Sequence, residues 1–300
     1  MSIVLLTEAS KVMIKNGRLE IKKDETSIYL NIEDIEALVI ESLQVTLTPS
    51  AILYVSKNKV PLIFCNKKHH PQCFCLDLYN HFEVSKRIHE QVKWEGSKKI
   101  LVWQKIIISK LKNQKELLKE LGANACSIKK LKKYIKNVKM SNSIEGISSC
   151  EAIAARIYFK SLFFKEFRRK DENIVNEGLN YGYSLLRAYI SIIITSKGLH
   201  PSLGICHNSR FNAFNLSDDI IEIFRPIVDY AVLIEYKNTK EFTNDFRKHL
   251  LKVMCQKVVF NNKVVSLKRG IELFIDSMLK YFNEDEKLKI PKLDVMLYEY

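Results

Sequence analysis

The spacing of apolar residues changes once along this chain, and that change limits the folds open to it. Before about residue 80, apolar and polar residues alternate in short segments, the period of about two that is typical of β-strands. Beyond Tyr79 the apolar residues recur with the helical period of about 3.6. We therefore predict an α+β fold: a small, mainly antiparallel β-rich N-terminal domain, residues 1–80, followed by a larger all-α C-terminal domain, residues 81–300.

In the N-terminal part the clearest local signal is Asn16-Gly17, which separates two alternating segments. Both residues tolerate the positive φ angles of a type I′ turn, so the pair predicts a hairpin of residues 12–14 with 18–21. Thr48 followed by Pro49 predicts the start of a helix, because threonine caps helices well and proline suits the first turn. Further strands are expected at 26–30, 37–40, 45–47 and 60–65.

The C-terminal part is predicted to be helical throughout. Apolar residues between Leu101 and Leu121 trace one long helix, which Gly122 ends. A second helix, with one apolar face, follows Ser127. Further helices are expected at 150–168, 172–196, 218–235, 239–257 and 266–282.

The chain of 300 residues carries 48 Lys and Arg against 34 Asp and Glu, a formal net charge of +14. Such an excess of positive charge destabilises a compact chain by self-repulsion, and an anionic partner explains it most simply. With 47% apolar residues, 9 Gly and 6 Pro, the composition excludes acidic disordered and collagen-like proteins. We expect nucleic acid as the partner, ahead of an acidic membrane surface.

Two further features bear on the cellular compartment. The first residues lack the basic segment and long apolar stretch of a signal peptide, and no later apolar run is long enough to span a membrane. The 7 Cys are an odd number, scattered through a chain large enough to fold without disulfides. The sequence therefore predicts a cytoplasmic protein with no association with the membrane.

The densest basic run lies on the polar side of the helix that follows Ser127. It consists of Lys129, Lys130, Lys132, Lys133, Lys136 and Lys139. A solvated helix face is one interpretation of such a run, and a helix that contacts DNA phosphates is the other. Both stay open.

Glu151 lies near the expected start of a helix. On that helix it shares a mostly apolar face with Ala155, Tyr158 and Leu162, so its carboxylate is expected to point inward or into a cleft. The simpler interpretation is a first-turn glutamate that interacts with the helix dipole and has no other task.

An acidic cluster follows the irregular loop of residues 198–208, which ends with His207 and Asn208. The next helix carries Asp218, Asp219 and Glu222, and at least one aspartate shares a face with the glutamate. Like charges at this spacing destabilise a helix unless a cation lies between them. The alternative is that the aspartates simply favour the first turn and that Arg225 pairs with Glu222.

One imidazole nitrogen and two or three carboxylate oxygens form a hard donor set, which suits Mg²⁺ or Mn²⁺ better than Zn²⁺. Such ions orient phosphodiesters and neutralise the charge that develops on phosphorus. Glu151, His207 and Glu222 are therefore candidate catalytic and metal-binding residues, with Asp219 as a further ligand or a supporting neighbour.

Two other patterns point to different chemistry. A catalytic cysteine, Cys206 beside His207 or Cys150 beside Glu151, has little support, because neighbours in sequence say little about the geometry of a nucleophile and its base. A zinc site would use five potential ligands whose spacing lacks the paired Cys-x2-Cys of common structural sites, and whether they bind zinc stays open. These five are Cys65, His69, His70, Cys73 and Cys75.

Around Glu151, His207 and Glu222 the sequence resembles a known family, the CRISPR-associated integrase that inserts new spacers. This is the first protein of the adaptation pair, and the resemblance is particularly to its type II form. Three motifs in order carry it, and segments at 180–183 and at His81, Arg87 and Gln91 extend it over essentially the whole chain. The motifs are Glu151 seven residues before Tyr158-Phe159, the loop from Gly198 to His207, and Asp219, Glu222 and Phe224-Arg225-Pro226 with Asp229.

The resemblance implies a DNA integrase and endonuclease that depends on Mg²⁺ or Mn²⁺. The 3′-hydroxyl of a double-stranded prespacer would attack a phosphodiester at the CRISPR repeat, a transesterification that needs no ATP. The implied partners are prespacer and repeat DNA, a second copy of the chain bound through the N-terminal domain, and the small second adaptation protein between two such dimers. Other proteins of a type II system are further expected partners.

This chain departs from the family at one point. Members often have Glu-Gly, and here Glu145-Gly146 stands six residues upstream of Glu151. We select Glu151 because the helical register relative to Tyr158 determines which side chain enters the cleft. Spacing to Phe-Arg-Pro favours Glu222 over Asp219 as the direct ligand. Two other functions stay open: a basic, non-catalytic DNA-binding or architectural protein, and a purely hydrolytic metal-dependent nuclease.

Overall fold

The computed structural model describes residues 2–75, 81–294 and 297. The predicted α+β class is confirmed, because strands in sheets come first and the larger part that follows is mostly helical. The predicted domain boundary between residues 80 and 81 borders on residues 76–80, which lie outside the described residues, and stays a prediction.

The strands and helices follow in chain order. The strands are β1 (Ser2–Leu6), β2 (Lys11–Lys15), β3 (Arg18–Lys23), β4 (Thr26–Leu30), β5 (Ile35–Ile40), β6 (Thr46–Leu47), β7 (Leu62–Cys65), β8 (Pro71–Phe74), β9 (Lys257–Phe260) and β10 (Lys263–Ser266). The helices are α1 (Pro49–Lys57), α2 (Val84–Val92), α3 (Gly96–Glu120), α4 (Ala125–Met140), α5 (Ile144–Leu162), α6 (Ile174–Ser196), α7 (Asn215–Ile221), α8 (Arg225–Asn238), α9 (Asn244–Leu251) and α10 (Leu267–Glu284). Of the helices in the described part of the chain, none has the length and apolar character needed to cross a bilayer.

The local turn and cap signals are confirmed. Asn16 and Gly17 have φ angles of 50° and 72° and join the antiparallel strands β2 and β3. Thr48 caps α1 by accepting a hydrogen bond from the Ala51 amide at 3.3 Å. Gly122, with a φ of 68°, follows the end of α3.

The strand pairing differs from the mainly antiparallel expectation. The two N-terminal sheets are mixed: β1 with β5, β5 with β7 and β2 with β6 run parallel. Parallel neighbours require crossover connections, and α1 lies between β5 and β7 in the chain. Strand β1 was not identified from the sequence, although it pairs along the length of β5.

The C-terminal part is also not entirely helical. The antiparallel hairpin of β9 and β10 begins at Lys257, the last residue of the predicted helix 239–257, and ends at Ser266, the first residue of the predicted helix 266–282. Its turn residues Asn261 and Asn262 have φ angles of 50° and 63°, and β-branched valines flank them, so the local sequence favours strands. The predicted helix 218–235 is likewise two helices, α7 and α8, with Glu222 between them.

Strand β5 joins the two parts of the molecule because both of its faces are buried. Ala37 and Val39 belong to the large helical core, whereas Leu38 and Ile40 belong to the small core against α1. Because successive side chains of a strand point to opposite faces, one strand contributes residues to both cores. Helix α6 is fixed to this sheet by hydrogen bonds from Tyr189 to Glu36 and from Tyr181 to Glu41, all of them buried.

Replacing Gly182 with Ala tests how closely α6 approaches α8. An added Cβ would lie 2.5 Å from the buried Val228 Cγ1, so we expect the free energy of unfolding to fall by about 1–3 kcal/mol. Denaturant unfolding followed by circular dichroism measures it. The matched control is Gly96→Ala in α3, where an added Cβ meets open space. Equal stability of the two variants would contradict the close packing of the two helices.

Candidate active site

A buried lysine lies where α3, α5 and the junction of α7 with α8 meet. The Lys110 ammonium forms an ion pair with Glu151 Oε1, and its Nζ is 2.6 Å from Glu222 Oε2. Lys110 is 4% exposed and Glu222 6%. A buried charge is tolerated only when it is paired, so these three side chains depend on one another.

Glu222 also pairs with the residue that begins α8. Arg225 Nη2 is 3.1 Å from Glu222 Oε1. Although burial alone raises it, Arg225 and Lys110 hold the pKa of Glu222 below its ordinary value. Glu222 Oε2 has no hydrogen bond of suitable direction despite the nearby ammonium. Glu222 is therefore an ionised carboxylate with one oxygen whose bonding capacity is not fully used.

The two glutamates of α5 have different environments. Helix α5 begins at Ile144, earlier than the expected residue 150, so Glu145 and not Glu151 lies in the first turn. Ser143 caps this turn by accepting from the Gly146 amide at 3.1 Å. The first-turn interpretation of Glu151 is therefore wrong, and the register relative to Tyr158 brings Glu151 to Lys110.

His207 is held by Asp219. Its Nδ1 donates to Asp219 Oδ1 at 2.8 Å, and the fully buried Asp219 also accepts from the backbone amides of Ile205, Cys206 and His207. The hydrogen bond to Asp219 raises the pKa of His207, against the effect of burial, and Glu222 adds to the increase. Both oxygens of Asp219 are thus engaged in orienting the imidazole and its loop.

Two amide side chains fix the loop that carries His207. Gln91 Nε2 donates to the carbonyl oxygens of His200 and Leu203 at 3.0 and 2.8 Å. From the other side, Asn215 Nδ2 donates to the Ser202 carbonyl at 2.9 Å. The loop also needs Gly204, where a Cβ would overlap the backbone of His207.

Asp218 faces a different cation. Its Oδ1 accepts from Arg187 Nε at 2.7 Å and its Oδ2 from Asn212 Nδ2 at 2.8 Å. The repulsion expected among Asp218, Asp219 and Glu222 is therefore relieved separately for each carboxylate.

A second buried network, formed by Tyr183, Asp229 and Tyr158, lies beside Arg225. Its guanidinium lies 4.8 Å from the centre of the Tyr183 ring. The hydroxyls of Tyr183 and Tyr158 both donate to Asp229. Burial raises the pKa of Asp229 to about 6, although the two tyrosines and Arg225 oppose that shift.

Comparisons with known proteins identify the family. A family model described as CRISPR associated protein Cas1 matches residues 3–264. The chain belongs to the Cas1 family. A CRISPR-associated endonuclease Cas1 of Neisseria meningitidis is 28% identical over 303 residues, which cover 99% of this chain and 98% of that protein.

Solved structures share the fold. A casposase bound to integration product has a TM-score of 0.75 at 20% identity and covers 100% of this chain and 95% of that chain. A partial Cas6-RT-Cas1–Cas2 complex has a TM-score of 0.66 at 19% identity, over 96% of this chain and 98% of that chain. The family and the named relative support a CRISPR-associated nuclease or integrase role for this Cas1 chain.

The candidate metal ligands are paired with other side chains in this structure. Among residues 2–75, 81–294 and 297, no three His, Cys, Asp or Glu side chains are grouped so that they could hold a metal ion. Glu151 and Glu222 contact Lys110 instead, and His207 contacts Asp219.

The environments of the cysteines give little support to a catalytic cysteine or a zinc site. Burial raises the pKa of the Cys206 thiol to about 12, so it stays protonated and is a poor nucleophile. In the five-residue Cys and His cluster, burial likewise raises the pKa of Cys65 to about 12, whereas Cys73 is exposed. His69 Nδ1 lies 3.3 Å from Glu41, and no three of these side chains form a metal group within the described residues.

Lys110 was missed from the sequence. It follows Ile106 and Ile107 and precedes Leu111, so it interrupts the apolar face of the long helix. That position was the available signal, because a lysine on an apolar face needs a buried partner. Among 48 basic residues, however, the pattern alone does not identify its partners.

Asp219→Asn tests the pairing with His207. Removing the carboxylate charge should lower the His207 pKa toward or below its ordinary value, since this hydrogen bond is the main cause of the increase. Because the pKa of His207 is higher in the folded protein than in the unfolded chain, protonated His207 stabilises the folded state at pH values below its unfolded-state pKa. This stabilisation is lost as the pH rises through the folded-state pKa of His207. NMR titration of the imidazole measures the shift. Asp218→Asn, which removes a more weakly acting charge, is the control, and an equal change in both variants would contradict the assignment.

Proposed function

We propose that this chain is a divalent-metal-dependent DNA integrase and endonuclease that joins the 3′-hydroxyl end of a prespacer to a CRISPR array. The observation that carries this proposal is the convergence of Glu151, from α5, and Glu222, from the junction of α7 with α8, on one buried cation. Two carboxylates held this close in a largely buried place need a positive charge between them, and a divalent ion supplies one as an ammonium does.

The residues present fit Mg²⁺ or Mn²⁺. Glu151 and Glu222 would supply carboxylate oxygens, and Glu222 Oε2 is a buried oxygen whose only near partner within the described residues is the Lys110 ammonium at 2.6 Å. His207 would supply Nε2, because Nδ1 is engaged by Asp219, the usual arrangement for a metal-binding histidine. When bound, the ion would orient the phosphodiester and neutralise charge on phosphorus. We place Asp219 beside the site, as the residue that orients His207.

The remaining steps follow from the chemistry of transesterification. The attacking 3′-hydroxyl loses its proton and forms a bond to phosphorus, the bond from phosphorus to the leaving oxygen breaks, and the leaving oxygen takes up a proton. One phosphodiester replaces another, so no ATP is required. Arg225 and the buried Tyr183–Asp229–Tyr158 network keep Glu222 in place during the exchange.

The lysine-rich face of α4 is proposed to hold DNA. Lys129, Lys130, Lys132, Lys133, Lys136 and Lys139 are all exposed. The opposite side of α4 buries Leu131, Ile135 and Val138, as expected. Helix α4 packs against α3 and α5, which carry Lys110 and Glu151.

The partners proposed are double-stranded DNA, a second copy of the chain and the protein Cas2. Structural neighbours include a casposase bound to integration product and a Cas1–Cas2 complex, which supports DNA and Cas2. Large apolar residues exposed on the N-terminal part, Ile28, Leu43 and Leu53, support its use as a dimerisation domain. Two dimers around the small partner complete the proposed assembly.

A purely hydrolytic nuclease is the second candidate, because the N. meningitidis relative is named an endonuclease. A short duplex with 3′-hydroxyl ends and a supercoiled target distinguish the two functions. Joined products support integration, whereas fragments alone support hydrolysis.

Glu151→Gln, His207→Ala and Glu222→Gln should each reduce strand transfer on the order of a hundredfold or more, because each removes a proposed ligand. Binding to duplex DNA should change little. The matched control is Glu145→Gln, on the same helix but in its exposed first turn. Gel assays of joined product and of binding measure both quantities, and wild-type transfer by the three variants would refute the assignment.

Replacing Lys129, Lys132 and Lys136 together with Gln should reduce the dependence of DNA affinity on salt. Each phosphate contact contributes about 0.9 to the slope of log affinity against log salt concentration, so the slope should fall by up to about 3 units. The control replaces Lys11, Lys22 and Lys57, which are exposed in the N-terminal part. If only the control lowers the slope, α4 is not the DNA-binding face.

A further inference from the structure

The Lys110 ammonium is stable in its buried position only because two carboxylates pair with it. Its residue is 4% exposed, on the buried side of α3. Both of its ion-pair partners, Glu151 and Glu222, are proposed metal ligands.

The ammonium and a divalent ion cannot occupy this place together. Lys110 Nζ is 2.6 Å from Glu222 Oε2 and in direct contact with Glu151 Oε1. Mg²⁺ binds carboxylate oxygens at about 2.0–2.1 Å, so an ion shared by the same two oxygens would overlap the ammonium. Loading of the site is then an exchange of one cation for another.

We propose that Lys110 is a built-in counter-cation, which holds Glu151 and Glu222 together in the metal-free protein and is displaced when the divalent ion binds. This inference rests on the proposed function, since it assigns the regulation of the same site. The ammonium keeps the carboxylates from repelling one another before metal arrives. It also competes with the metal, so the lysine weakens the apparent metal affinity of the site.

Lys110→Met tests the exchange, because methionine keeps an unbranched stem of similar length and removes the charge. In EDTA the variant should melt at a lower temperature than wild type, since partly exposed Glu151 loses its ion-pair partner and buried Glu222 keeps only Arg225. Mn²⁺ should bind at least about tenfold more tightly to the variant and should restore its melting temperature. Isothermal titration calorimetry and thermal unfolding measure the two effects. Lys112→Met, at an exposed position of the same helix, should behave as wild type in both.

The outcomes separate this inference from the proposed function. If wild type and Lys110→Met both bind Mn²⁺ with the same affinity, or the variant binds more weakly, the exchange is refuted while the metal-dependent function stands. If neither protein binds Mn²⁺, the metal-dependent function fails and the inference with it. Should the variant not fold, a crystal structure of wild type with Mn²⁺ decides. Lys110 Nζ away from both glutamates supports the exchange, and Lys110 still bridging them beside a bound ion refutes it.

Discussion

Burial of like charges is the constraint on which this structure depends. Glu151 and Glu222 lie on parts of the chain that are far apart in sequence, and Lys110 pairs with both of them. A carboxylate that loses its partner in the interior costs several kcal/mol. The pairing therefore favours the observed approach of α3, α5 and the junction of α7 with α8, together with the apolar core that these elements share.

Helix α6 transmits this constraint to the rest of the fold. Tyr181 and Tyr189 bind glutamates of the N-terminal sheet, whereas Tyr183 and Arg187 bind Asp229 and Asp218 beside the site. One helix thus contacts both the sheet and the acidic helices through its polar side chains. The N-terminal part is consequently attached to the candidate active site through buried hydrogen bonds as well as through shared apolar core.

Features that depend on local sequence could be predicted, and features that depend on distant pairing could not. The Asn16-Gly17 hairpin and the end of α3 at Gly122 follow from backbone preferences of single residues. The side of α5 that carries Glu151 follows from helical register. The parallel pairing of β1 with β5 and the role of Lys110 depend on segments that meet only in the folded chain. The break at Glu222 was missed because the apolar pattern continues through it.

The loop that carries His207 is attached mainly through its backbone. Gln91 and Asn215 donate to carbonyl oxygens of residues such as His200, Leu203 and Ser202, and every amino acid supplies such an oxygen. Side chains of this loop other than His207 can therefore be exchanged without loss of these contacts, whereas the two amides and Gly204 determine the path of the backbone. The position of His207 thus depends on residues that are themselves outside the proposed chemistry.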